Sequence, residues 1–425
     1  MVVACPSLRS PRRAWKGEFS MHPRRFAVKN VPAATMPVLA LLAWLVAASP
    51  VMADGAEPLL DAQLQSALRG YHADICDWVM TLDVGSGVLN NTDDTPWSVF
   101  INGNFARVLM TGAHLHGRQE YLDEALRWCD TFVEQQQLVK TSTGMDGGFW
   151  GDHGATGNLY LADSGTAATA LALGCRRTDG ERREVYLAAM QRFADFVHTG
   201  CDEDPQGQGR QPSSGWVIGE GPHEGALGCG YYRGHLSTEP YIIATGVNGG
   251  AFMSMLYSIT GEKRPMRTAS GAVRWILSQR LANGQLPYIL DGSQSASWPF
   301  NTTTYCTEGI VATATHVDDP QLRSEIISGV EPIIEWLLQS QNEDGTWGAP
   351  RSADQQRSPE CVVLLAWYYR NADSDARVAE AVRKYCRFLL EPESSEAYGV
   401  KSLVRTTGFV GLTVAELLEP ELIYR

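Results

Sequence analysis

The sequence lacks the ligand spacing of structural zinc sites, because no Cys-x-x-Cys or Cys-x-x-His pair occurs among its nine cysteines and nine histidines. Structural zinc sites usually draw on such pairs, and no EF-hand pattern offers a calcium site, so we expect neither a metal nor a cofactor. Positive charge is also scarce: the chain has 35 Lys and Arg residues and 48 Asp and Glu residues, which gives a net charge of −13. This balance argues against nucleic acid as a partner.

A long apolar run occurs at 36–53, after a basic stretch, and it ends in a small-x-small sequence. This pattern is typical of a secretory signal peptide. We predict that 1–53 is a signal peptide with an over-extended start, that synthesis begins at Met21, and that 54–425 is a single secreted or periplasmic domain. An uncleaved membrane anchor is the alternative. No other run approaches the ~20 apolar residues of a membrane span, so we expect no membrane contact after cleavage.

Export would place the remaining cysteines in an oxidising compartment, where disulfides form. Cys201 and Cys229 share one long loop and are the predicted disulfide pair. Cys129 and Cys386 occupy equivalent apolar positions of a repeat, which indicates buried free thiols at those two sites.

Regular two-residue alternation, the pattern of a half-buried strand, is also missing, whereas apolar residues recur at spacings of three and four. A charged residue followed by an aromatic and an apolar residue recurs late in five helical segments. The copies are Arg127-Trp128-Cys129, Arg192-Phe193-Ala194, Arg274-Trp275-Ile276, Glu335-Trp336-Leu337 and Lys384-Tyr385-Cys386. Helices are predicted at 58–80, 102–116, 119–137, 163–176, 181–199, 240–260, 264–281, 305–316, 319–340, 359–371, 375–390 and 402–418.

The predicted helices alternate in character. The first member of each pair is apolar on all sides, as at 165–174, and the second has a charged face, as at 121–132. A helix that is apolar all round is buried, and one with a single apolar face is peripheral. Turns within pairs are short and connections between pairs are long, so the long loops share one face. The pattern predicts a closed ring of six hairpins, the sixth made by the first and last helices, with its mouth at the N-terminal ends of the inner helices.

One motif supports this arrangement. Residues 341–347 have the form Gln-x-x-Asp-Gly-x-Trp, and 146–150 and 283–286 are looser copies at equivalent points. With the repeat count and the helix polarity, the chain resembles the all-α (α/α)6 toroids of the six-hairpin glycosidase superfamily over its whole mature length. It resembles the terpenoid cyclase and prenyltransferase toroids more weakly. We interpret the motif copies as turn and packing elements that hold the ends of outer helices.

Acidic, aromatic and imidazole side chains gather at the predicted mouth. The candidate catalytic residues are Asp93, Asp94, Asp152, His153, His223 and Glu239. The candidate substrate-binding residues are Trp97, Trp150, Asp163, Arg233, His235, Trp298, Tyr305, Glu308, Glu360 and Arg405. Acids at helix starts also serve as N-caps, which is the competing interpretation for Asp163 and Glu360.

Three functions fit these residues. Paired carboxylates beside aromatic rings suit a glycoside hydrolase, and an imidazole or Tyr305 beside Arg233 or Arg405 suits a uronate polysaccharide lyase. Both are exported carbohydrate-active enzymes with a carbohydrate substrate. The sequence at 91–95, Asn-Thr-Asp-Asp-Thr, is similar to the Asp-x-Asp-Asp-Thr motif of class II terpene cyclases, which would make Asp93 the protonating acid. A non-catalytic glycan-binding protein is the third alternative. The oligomeric state is not predicted.

Overall fold

The computed structural model describes residues 58–82, 98–143, 146–149, 151, 159–200, 215–232, 235–288, 290 and 296–425. All of them belong to one compact unit, Pro50–Arg425. The predicted signal peptide lies outside the described residues and stays a prediction.

The described residues are mostly helical. The helices are α1 Ala62–Met80, α2 Val99–His116, α3 Gln119–Thr143, α4 Leu161–Arg176, α5 Gly180–Thr199, α6 Ile242–Thr260, α7 Lys263–Ser278, α8 Pro299–His316, α9 Pro320–Ser340, α10 Ala353–Gln356, α11 Cys361–Asn371, α12 Ala376–Leu390, α13 Pro392–Tyr398 and α14 Val404–Leu418. The middle of α6, Thr245–Phe252, is π-helical. Most predicted bounds agree with these within four residues, but α8 begins six residues before the predicted 305 and α3 ends six residues after the predicted 137. The short helices α10 and α13 were not predicted.

The inner helices form a closed ring. Helices α2, α4, α6, α8, α11 and α14 pack on one another in this order, and α14 closes the ring against α2. The outer partners are α3, α5, α7, α9 and α12, and α1 packs against α14 and α2 as the sixth. This confirms the (α/α)6 toroid and the closure of the first helix on the last.

Burial follows the apolar pattern of each helix. In α4, every residue from Leu161 to Cys175 is buried except Asp163. In α7, buried side chains recur at spacings of three and four, including Thr268, Ala272 and Trp275. A core helix and a one-faced peripheral helix are expected to differ in this way. Helix α6 is long and apolar enough to cross a membrane, although we expected no second apolar run of that length. In the fold, however, 83% of its most apolar 18-residue stretch is buried.

The Gln-x-x-Asp-Gly-x-Trp copies are structural, as predicted. The Gln341 side-chain amide donates to the carbonyls of Gly345 and Ala381, both at 2.9 Å, and so ties the turn to α12. Gly345 has φ +98°, and a Cβ there would lie 2.8 Å from the backbone of Lys384. The looser copy repeats the arrangement, since Gln136 donates to Gly147 O and Ala189 O at 2.8 and 3.0 Å. Each turn therefore fastens one outer helix to the next.

A small antiparallel sheet was not predicted. Strands β1 Leu159–Tyr160, β2 Gly228–Tyr232 and β3 His235–Pro240 pair in that order, with a bulge in β2 between Gly228 and Gly230. Gly230 has φ +109°, and a Cβ there would lie 2.1 Å from the Leu159 carbonyl oxygen. The residues of β2 and β3, GCGYY and HLSTEP, do not alternate between apolar and polar, and β1 has only two residues, which explains why the sequence pattern missed them.

A buried ion pair lies inside the ring. The Arg107 guanidinium on α2 contacts the Glu308 carboxylate on α8 at 2.9 Å, and the two side chains are 0% and 1% exposed. Glu308 is the tenth residue of α8 rather than a residue at its start, which corrects its predicted position. Glu360 is also fully buried. Burial raises the pKa of Glu360 well above its usual value, the Glu308 carboxylate raises it further, and Arg107 opposes both.

Candidate active site

A pocket of about 390 Å³ opens where the six inner helices begin, and we call it the mouth pocket. Five of the inner helices contribute lining residues from their N-terminal ends, and the sixth, α11, is preceded by the lining residue Arg357. The contributing residues are Phe100 of α2, Asp163 of α4, Ile243 of α6, Asn301 and Tyr305 of α8, Arg357 just before α11, and Arg405 of α14. Helix N-termini carry partial positive charge and unpaired N–H groups, which favour an anionic group of a ligand.

One wall of the mouth pocket is aromatic. Trp298 is 45% exposed, and its backbone adopts the left-handed conformation with φ 52°. Its ring lies 5.8 Å from the ring of Tyr288, which lies 6.0 Å from that of Tyr241. The two tyrosine hydroxyls are hydrogen-bonded at 3.0 Å. An exposed indole beside phenolic hydroxyls offers a stacking face and hydrogen-bonding groups together.

Charged side chains also line the mouth pocket. Arg405 lies over the Phe100 ring, with its guanidinium carbon 5.2 Å from the ring centre, and Arg357 lies 5.4 Å from the Trp298 ring. Both arginines and the half-buried Asp163 line the mouth pocket. The described lining therefore has two guanidinium groups for one carboxylate, and it is complementary to an anion.

The buried hydroxyl and thiol groups of the mouth pocket stay protonated at neutral pH. Burial raises the pKa of Tyr305 to about 12, although Arg405 opposes the change. Burial and the neighbouring Tyr288 raise the pKa of Tyr241 well above its usual value. Burial and Asp163 raise the pKa of the Cys229 thiol to about 11. The predicted bridge from Cys229 to Cys201 stays a prediction, because Cys201 lies outside the described residues. The hydroxyls of Tyr305 and Tyr241 are therefore protonated and can donate hydrogen bonds, whereas removing their protons is costly.

The structure brings four of the predicted residues together in this pocket: Asp163, Trp298, Tyr305 and Arg405. Asp163 is the third residue of α4, so the predicted helix-start position holds. Seven further candidates lie outside the described residues: Asp93, Asp94, Trp97, Trp150, Asp152, His153 and Arg233. The position of His235 is described only as part of β3.

The other candidates do not line the mouth pocket. His223 lies against an outer helix, where Nε1 of Trp275 donates to its Nδ1 at 3.4 Å. Glu239 is exposed near the end of β3. Glu308 and Glu360 lie in the ring interior, so they are not part of the predicted circle of acids around the opening.

Several lining residues were missed from the sequence: Phe100, Tyr160, Tyr241, Tyr288, Asn301 and Arg357. Tyr241 directly follows β3 and caps the start of α6, a position that could have been identified from the predicted helix start. Arg357 immediately precedes the predicted Ser358-Pro359 cap, so it could have been assigned to the same face. The Asn301 carboxamide oxygen is buried without a hydrogen-bond partner in the described structure, as expected of a group that awaits a ligand or water.

Comparison by sequence finds no matching family model and no matching curated protein. Solved structures do match. A polysaccharide lyase aligns at 12% identity over 82% of this chain and 97% of its own, with a TM-score of 0.55. The GH76A alpha-1,6-mannanase from Salegentibacter sp. HEL1_6 aligns at 13% identity over 83% of this chain and 100% of its own, with a TM-score of 0.55. Cellobiose 2-epimerase from Spirochaeta thermophila DSM 6192 aligns at 12% identity over 84% of this chain and 99% of its own, also with a TM-score of 0.55.

These neighbours are members of the six-hairpin glycosidase (α/α)6 superfamily. The likeness therefore shows that this chain has the (α/α)6 toroid fold, as the sequence predicted. Inactive variants of the mannanase are described in complex with alpha-1,6-mannotetrose and alpha-1,6-mannotriose.

Proposed function

We propose that this protein is an exported carbohydrate-active enzyme that binds an acidic saccharide in the mouth pocket and cleaves it by β-elimination. One observation carries the proposal: two guanidinium groups, protonated tyrosines and an exposed indole line the same pocket at the N-terminal ends of the inner helices. The structural neighbours support carbohydrate chemistry, since they include a lyase, a mannanase and an epimerase.

The binding argument follows from complementary shapes and charges. A pyranose ring has apolar faces that can lie on Trp298 and hydroxyls that can pair with Tyr241, Tyr288 and Asn301. A uronate adds a planar carboxylate, which pairs with guanidinium through two parallel hydrogen bonds. Arg357 and Arg405 are the described groups that can supply this pairing.

The β-elimination uses the same groups. A base removes the proton on the carbon next to the uronate carboxyl group, and an arginine stabilises the negative charge that develops on that group. The glycosidic C–O bond on the adjacent ring carbon then breaks, and a ring double bond forms. The proton donor to the leaving oxygen is Tyr305, because its raised pKa keeps the hydroxyl protonated. The base is expected among the mouth-loop candidates Asp152 and His153.

Hydrolysis is the second candidate, and Asp163 favours it, since this carboxylate already lies in the mouth pocket. A hydrolase needs a second carboxyl group at about 5–5.5 Å for retention or about 6.5–9.5 Å for inversion of configuration. Asp93, Asp94 and Asp152 are the sequence candidates for it. The charged lining disfavours the terpene cyclase alternative, because a carbocation cascade requires a dry aromatic cavity.

The decisive experiment incubates the purified protein with neutral and uronate-containing polysaccharides and follows reducing ends and ultraviolet absorbance separately. New reducing ends with matching absorbance on uronate substrates support β-elimination. Reducing ends alone indicate hydrolysis, and binding without turnover indicates a glycan-binding protein. Silence across a broad panel would contradict the carbohydrate function altogether.

Matched variants locate the reaction. Arg405→Met should lower kcat/KM on uronate substrates by about 10²-fold or more, the loss expected when a charge-assisted contact to the developing charge is removed. Arg387→Met, an exposed arginine of α12 paired with Glu380 at 3.0 Å, is the control and should leave kcat/KM unchanged. Equal losses in both variants would show that the mouth pocket is not the site. Export is tested separately by N-terminal sequencing of protein recovered outside the cytoplasm.

A further inference from the structure

Three metal-ligating side chains meet where the first helix closes the ring. His72 and Cys76 lie one turn apart on α1, and His116 is the last residue of α2. His72 Nδ1 lies 3.1 Å from His116 Nε2 and 3.6 Å from Cys76 Sγ, and the three ligand atoms are within 4.8 Å of one another. We call these residues the His-His-Cys cluster.

We propose that the His-His-Cys cluster binds a zinc ion. A tetrahedral ion with Zn–N distances of about 2.0 Å and a Zn–S distance of about 2.3 Å places its ligand atoms roughly 3.3–3.6 Å apart. The separations at His72 are within a few tenths of an ångström of these values. The Cys76 and His116 atoms must move closer, and His116 has room to do so because it is only half-buried at a helix end.

Chemical preference favours zinc over harder cations. Two imidazoles and one thiol form a nitrogen and sulfur set, which selects zinc or other soft metals over calcium and magnesium. A neutral imidazole offers one ring nitrogen as a ligand, and His72 Nδ1 and His116 Nε2 are the ring nitrogens that face each other. Zinc binding would release the Cys76 proton, because the thiolate is the ligand form.

Two arginines lie near the cluster. Arg118 contacts both Asp77 and Glu120 at 2.6 Å, so its charge is compensated. Arg69 donates to the Leu115 carbonyl at 2.7 Å, directly beside His116, and its charge opposes a cation at both imidazoles. A water would complete the tetrahedral coordination. The ion would join the outer helix α1 to the inner helix α2 at the seam of the ring.

The competing explanation is a hydrogen bond between two neutral imidazoles with a bystander thiol. The two are separated by titrating the metal-free protein with Co²⁺ as a spectroscopic probe and with Zn²⁺ in competition. We expect one Co²⁺ per chain with a thiolate-to-metal charge-transfer band, displacement by Zn²⁺, and a higher Tm in the presence of Zn²⁺.

Variants identify the ligands. His116→Gln should weaken Zn²⁺ binding by at least about tenfold and abolish the Zn²⁺-dependent rise in Tm, and Cys76→Ser should remove the charge-transfer band. His114→Gln is the matched imidazole control, since this exposed side chain on the same helix end pairs with Glu419 instead. Cys229→Ser is the thiol control.

Two outcomes would overturn the proposal: no stoichiometric Co²⁺ binding by the wild-type chain, or binding that His116→Gln leaves unchanged. Loss of the charge-transfer band in Cys229→Ser would assign the metal to a different thiol and would also contradict it. The buried Cys76→Ser variant can fail to fold, but His116→Gln changes a half-buried helix terminus and keeps the proposal testable.

Discussion

Replacing Arg107 by methionine should destabilise the toroid strongly, because it leaves a carboxylate buried without its partner. Arg107 and Glu308 contact each other at 2.9 Å, and both side chains are excluded from solvent. Burial lowers the pKa of Arg107, but the Glu308 and Glu360 carboxylates outweigh it and raise this pKa overall. The guanidinium is therefore the main compensating charge for two acids in the ring interior.

The size of the effect follows from known buried pairs. Removing one partner of a buried ion pair costs about 3–5 kcal/mol. Unfolding the predicted mature chain of about 370 residues carries an entropy of roughly 0.8 kcal/mol/K at ~2.1 cal/mol/K per residue. The loss corresponds to a fall in Tm of about 4–6 °C. It should be smaller at acidic pH, because Glu360, whose pKa burial raises well above its usual value, is then neutral and needs no compensating charge.

Thermal unfolding followed by circular dichroism at two pH values tests this prediction. Arg182→Met is the control, because its pair with Asp130 is at the surface and should change Tm by ~1 °C or less. The double variant Arg107→Met/Glu308→Leu removes both charges of the pair and should recover part of the lost stability, because Glu360 still lacks its compensating charge. A fall in Tm for Arg107→Met that is no larger than for Arg182→Met would refute the reasoning.

Three further predictions rest on single contacts. Burial raises the folded-state pKa of Glu416 to about 8 from 4.5, so its contribution to the free energy of unfolding is fully present below about pH 4.5 and is lost as pH rises towards 8. Glu416→Gln should flatten this decline in the free energy of unfolding, measured with urea. An unchanged slope would contradict the prediction. Gly250→Ala should cost about 1–3 kcal/mol because the new Cβ would lie 2.5 Å from the Gly309 Cα, whereas Gly70→Ala, with nothing within 4 Å, should stabilise by about 0.5–1 kcal/mol. Trp298→Ala should raise the Kd or KM for saccharide without lowering Tm, since the indole is 45% exposed; calorimetric titration would expose an error if affinity stayed the same.

The architecture was predictable because its determinants are local and repeated. Spacings of three and four identify each helix, the contrast between α4 and α7 distinguishes inner from outer members, and the loop lengths place the mouth. The six-hairpin count did not require any single segment to be interpreted correctly. A repeat tolerates errors of a few residues, such as the late predicted start of α8, because neighbouring hairpins impose the same geometry.

The His-His-Cys cluster could not be predicted from residue spacing along the chain. The expectation of no metal rests on the absence of Cys-x-x-Cys and Cys-x-x-His pairs. His72 and Cys76 are neighbours only on a helix face, and His116 reaches them only because α1 closes the ring beside α2. Such a set depends on which helices pack together, so a single sequence does not reveal it.

The two acids Asp163 and Glu308 explain why the site itself was only half predictable. Both were assigned to the mouth because acids are rare in apolar inner helices. Asp163 is the third residue of α4 and lines the mouth pocket, whereas Glu308 is the tenth residue of α8 and pairs with Arg107 inside the ring. At 1.5 Å of rise per residue, seven positions amount to about 10 Å along the helix axis. A six-residue error in a helix start is therefore harmless for the fold, yet it separates a group that can meet a substrate from one that water cannot reach.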